Sequence, residues 1–135
     1  MFHTQSGRFT TEHANKKAST AYTVGMLLVR NDTTGEVEPA TATSDAATFV
    51  GVCLEGVDAS DATTREIAYA QVGHKHATIL CDSVAGDAST KVLGKTYDVS
   101  DANSANVGAS SINCLRLVRI ISATKAEFEI VREDA

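Results

Sequence analysis

At 135 residues and a formal net charge of −5, the chain is sized for one domain and is too acidic for nucleic acid to be its main partner. Ala, Ser and Thr supply 47 residues, whereas Leu, Ile, Val and Phe supply 30. The core is therefore thin, a condition that goes with oligomers or with anchoring to a partner that buries surface the chain cannot cover alone.

Residues 1–21, "MFHTQSGRFTTEHANKKASTA", show no sustained period and hold two large apolar side chains, Phe2 and Phe9. They are expected to form an extended arm whose aromatics need a partner surface or fold back on the body. From Tyr22 the pattern changes. "YTVGMLLVR" is an apolar run closed by the turn "NDTTGE". "EVEPATAT" alternates weakly around Pro39, which suits an edge strand or loop. "TFVGVCLEGV" is β-branched and bracketed by turn residues, a strand. "REIAYAQVG" alternates, with Ile67, Tyr69 and Gln71 on one face and Ala68, Ala70 and Val72 on the other. "HATILCD" comes next, then a Gly/Ala/Ser-rich stretch over 83–94 with room for a short helical turn. "KTYDVSD" is a strand with Tyr97 and Val99 on one face, and "ANSANVGASS" is a loop. "NCLRLVRIIS" and "AEFEIVRE" form a hairpin through "SATK", with Phe128 and Ile130 inward and Glu127 and Glu129 outward. About eight short strands at near-ten-residue spacing, with no long helical period, predict an all-β fold: a small antiparallel barrel or sandwich spanning 22–135.

Chemistry-bearing motifs are weak. Gly94-Lys95-Thr96 resembles the end of a phosphate loop, but the required upstream Gly is Ser89 and the residues after Thr96 are strand-like. His74 and His76 in "GHKH" share a strand face and could both reach one metal, as in the cupin His-x-His pair. No Glu comes closely after them and no later His exists, so a surface feature is the expectation and no metal or cofactor is assigned. Cys53, Cys81 and Cys114 match no zinc or redox spacing and sit in strand patterns, as buried free thiols would. Asp58/Asp61 and Asp98/Asp101 lie in Ser/Ala/Thr loops, where Asp serves turns. No Gly-x-Ser-x-Gly is present. A catalytic residue is not assigned, and an enzyme is not the expectation. The opening "MFHTQSGRFTTEH" is polar and no apolar run reaches membrane-spanning length, so neither a secretory signal nor a membrane partner is expected.

"YTVGMLLVRNDTTGEVEPAT", "TFVGVCLEGVD", "QVG", "GKTYDVSDANSANVG" and "LRLVRIISATKAEFEIV", in that order between Tyr22 and Glu133, resemble the small β-rich head decoration (cement) proteins of tailed bacteriophages. The resemblance implies a polar arm before a small β-barrel or β-tulip. It implies a structural protein made in the host cytoplasm and seated on the outer capsid surface, often as a trimer, bridging major capsid proteins and stabilising the expanded head. No small-molecule substrate is implied. The first 20 residues carry Arg8, Lys16 and Lys17 against Glu12, and the remainder is acidic. The capsid-binding residues expected are therefore Phe2 and Phe9 as anchors, with Arg8, Lys16 and Lys17 meeting acidic groups. A different virion β-module, such as a head fibre base or tail-associated domain, and a small metal-binding β-barrel enzyme using His74 and His76 are the alternatives.

Overall fold

The computed structural model describes residues 1–72 and 77–131. They build two antiparallel sheets. In chain order the strands are β1 (Phe2–Ser6), β2 (Phe9–Asn15), β3 (Leu27–Arg30), β4 (Val37–Pro39), β5 (Phe49–Cys53), β6 (Glu66–Val72), β7 (Thr78–Cys81), β8 (Thr96–Asp101), β9 (Ser104–Asn106), β10 (Leu115–Ser122) and β11 (Lys125–Ile130). The larger sheet runs β1-β7-β11-β10-β8-β9 and the smaller β2-β6-β5-β3-β4. Two single 3-10 turns, Ala46–Thr48 and Ala88–Thr90, are the only helical pieces among the described residues; the second falls in the stretch expected to hold one.

The sheets share a core. Phe2, Ile79, Leu115, Leu117 and Phe128 from the larger sheet pack in one cluster with Leu27, Val29, Phe49 and Val52 from the smaller. This is a β-sandwich. A second cluster, with Tyr22, Leu28, Val37, Val50, Ile67 and Tyr69, lies on the other face of the smaller sheet. Strands β3 and β5 feed both clusters alternately, which is why they read as unbroken apolar runs. A single parallel bridge from Lys16 to Val37 joins the free edges of β2 and β4, so the smaller sheet curls round its second cluster. It is one bridge rather than a ladder, and closure into a barrel is not seen. Tyr22 completes the cover: its backbone pairs with Val57 and its hydroxyl donates to the Val37 carbonyl at 2.5 Å.

The arm expected over residues 1–21 needs correcting. Its chain is extended but paired. β1 runs antiparallel to β7, with Phe2 opposite Cys81, and β2 pairs along its whole length with β6, from Phe9–Val72 to Asn15–Glu66. The cause is Phe2, which is 1% exposed and fills the shared core. "ANSANVGASS" also differs from expectation, because Ser104–Asn106 pairs with β8 as β9. The C-terminal hairpin turns at Ala123–Thr124 with Ser122 opposite Lys125, as expected. Phe128 and Ile130 are buried. A bulge at Val118 sets Arg116 opposite Glu129 and Arg119 opposite Glu127, with ion pairs of 3.4 and 2.9 Å.

Candidate functional site

The five residues expected to bind a partner do not form one surface. Phe2 is consumed by the protein's own core, and Phe9 is half-buried against the same cluster. Arg8 is exposed in the turn between β1 and β2. Lys16 is 8% exposed, and its Nζ donates to the Asp61 carbonyl at 2.7 Å. Lys17 is exposed and loosely paired with Glu38 at 3.7 Å. Arg8 and Lys16 lie at opposite ends of β2, roughly 26 Å apart at about 3.3 Å per residue. Phe2 and Lys16 are therefore corrected from partner contacts to groups buried in the fold. His74 and His76 lie outside the described residues.

Asp61 and Asp101 serve turns, as expected, whereas Asp98 is corrected from a loop residue to a buried position within β8. The Asp61 carboxylate accepts from the backbone N–H and the hydroxyl of both Thr63 and Thr64, and these donors, the Thr64 N–H foremost, hold its pKa far below the usual carboxylate range. Asp98 is buried. Burial alone would raise its pKa, but N–H groups of Ser111, Ile112 and Asn113 at 3.0, 2.8 and 2.8 Å outweigh that, and the pKa is lowered. Asp98 thereby ties the loop before β10 to β8. Asp101 caps its own turn through the Asn103 N–H at 2.8 Å. All three cysteines are buried and free. Burial pushes the Cys53 thiol up and the Cys114 thiol up to about 12, which makes both poor nucleophiles. Gly94 has φ +90° in a turn that leads into a strand, with its N–H on the Leu117 carbonyl. Without a helix after it, the Gly-Lys-Thr run has no stacked N–H cradle for a phosphate.

Two features are not legible in the sequence. The first is a pair of exposed apolar groups. Val24 and Leu54, 51% and 41% exposed, sit side by side because the Gly25 N–H bonds the Cys53 carbonyl. Met1 joins them, its Cβ 3.0 Å from where a side chain on Gly25 would begin. The other group is Val92 and Leu93, 58% and 56% exposed, on a segment that runs beside β10 from the Ala88–Ala123 to the Gly94–Leu117 hydrogen bond. Exposed Ile121 lies on the same stretch of β10. Met1 adjoins β1, three strands from β10 in the larger sheet, a separation of at least about 14 Å at ~4.8 Å per strand. The second feature is a cleft of about 470 Å³ between the Asn15–Ser19 turn and the Ala59–Arg65 loop.

Comparison with family models, with curated proteins and with solved structures returns no match.

Proposed function

We propose that the chain is a structural virion protein of the tailed-phage head-decoration class. It sits on the outer capsid surface, bridges neighbouring major capsid proteins and acts as a homo-oligomer, a trimer being favoured. The sequence resemblance motivates the class. The observation that carries the role is the pair of separated apolar groups, Val24/Leu54 and Val92/Leu93, on different parts of one small sandwich. A bridging protein needs two footholds. Each can be small, because binding through both at once raises the effective concentration of the second contact, and copies across a lattice add avidity. Isolated exposed apolar residues are ordinary, whereas grouped ones mark contact sites.

The test is to measure copies per major capsid protein in purified particles, and then the retention of a V92S/L93S variant, a V24S/L54S variant and the fourfold variant on expanded heads. A fixed simple ratio, with each pair weakening retention and the fourfold variant lost, supports bridging. Absence from particles, or full retention of the fourfold variant, overturns it. A handful of copies per particle would also overturn it, in favour of a fibre or tail component.

A further inference from the structure

The Lys16 ammonium is an unusual group. Lysine is almost never this buried unless its charge is paired, because a buried charge without a partner is strongly disfavoured. Here the side chain meets the Asp61 carbonyl, and among the described residues no carboxylate forms an ion pair with it. The nearest acid in sequence on that loop, Asp61 itself, has turned its carboxylate away to four donors of Thr63 and Thr64. Glu36 stands on the cleft wall and forms an ion pair with no cation among the described residues. One carbonyl leaves two ammonium N–H groups to be satisfied. The same cleft is lined by Arg65, whose guanidinium bonds no group among the described residues, and by the hydroxyls of Ser19 and Ser60. The small side chains of Ala18, Ala59 and Ala62 keep the cleft open.

We infer that this cleft binds an oxyanion, a carboxylate or phosphate group, seated on the Lys16 ammonium with Arg65 and the two serine hydroxyls around it. The Asp61–Thr64 loop is the rigid wall. Its carbonyl aims the ammonium, and its tightly hydrogen-bonded carboxylate is kept from competing as the counter-ion. The anion is either a free ion or a carboxylate borne by a polypeptide; the chemistry of capture is the same. The inference does not rest on the head-decoration proposal, since it requires only the local geometry of residues 15–19 and 59–65.

The test titrates the full chain with inorganic phosphate, and separately with hexaglutamate, at ionic strength held constant with sodium chloride. Amide chemical shifts and thermal midpoints are followed together. Expected are shift changes confined to residues 16–19, 36 and 59–65, a rise in midpoint, and affinity at least about tenfold weaker in Lys16→Met, the loss a charge-assisted hydrogen bond implies. Lys16→Met is expected to fold at least as stably as the parent without anion, because it removes a poorly compensated buried charge. Should it fail to fold, Arg65→Gln, whose side chain is exposed, provides the weakened variant. Saturation by phosphate below the millimolar range assigns a free anion. Saturation by hexaglutamate at a tenth of the phosphate concentration assigns a protein-borne carboxylate. No localised shifts with either probe, or parental affinity in both variants, overturns the inference.

Discussion

Single residues decide what the N-terminal segment is. Phe2 is a core residue, so Phe2→Ala is expected to cost about 3–5 kcal/mol, as other buried aromatic truncations do. An anchor that met only a partner would leave stability unchanged; denaturant unfolding of the isolated protein separates the two. Asp98 is the second case. Three N–H donors hold its carboxylate below the usual pKa. A carboxylate depressed in this way stabilises the fold above its unfolded value, about 3.9, and that contribution is lost as the pH falls through the folded value. Asp98→Asn keeps one oxygen but turns an NH2 toward one of the donors, and is expected to lose about 1–3 kcal/mol at pH 7. The gap between variant and parent should narrow below pH 4, which unfolding curves at pH 7 and pH 3 would show. Cys114, buried with its thiol at about 12, should resist alkylation at pH 8 until the chain is unfolded; rapid labelling of the native protein would contradict its placement.

Among the elements, legibility tracks burial pattern. β5, β8, β10 and β11 are readable because their inward residues alternate or run on in β-branched and aromatic types. β1 and β2 are not, since each has a single buried residue, Phe2 and Ala14, and, apart from the half-buried Phe9 that opens β2, is otherwise polar. That is how an edge strand looks when one face meets solvent. β9 is three residues long, too short to carry a period. "YTVGMLLVR" reads as one apolar run, but Gly25 at φ +93° breaks it, and only Leu27–Arg30 joins the ladder. Close approach explains another glycine. A side chain on Gly51 would begin 2.0 Å from the Ala70 carbonyl oxygen, at the seam of β5 and β6. Gly51→Ala should cost at least about 3 kcal/mol, the upper range for overpacking, or abolish folding; a variant of parental midpoint would show that the seam can open.

At the scale of the molecule, the candidate sites are the least legible part. Lys16 and Lys17 are visible as bases, but not that 45 residues of chain would return to lay the Asp61 carbonyl on Lys16. Val92 and Leu93 look like any loop residues until the strand beside them is known. Their exposure makes a clear prediction: V92S/L93S should unfold within about 0.5 kcal/mol of the parent, as surface changes usually do, while altering association measured by sedimentation or particle binding. A large loss of stability would mean that the pair is packed against something in the isolated chain.

The split of β1 and β2 between two sheets has a consequence for biosynthesis. Their partners β7 and β6 lie more than 50 residues downstream, several seconds of translation at roughly 5–20 residues per second. Both strands leave the ribosome before these partners have been made. Apart from Phe2 and Phe9, which open the two strands, their side chains, "HTQS" and "TTEHAN", are polar or small and let a nascent segment wait in water, and the chain is clasped at both sheet edges only once its middle has been made.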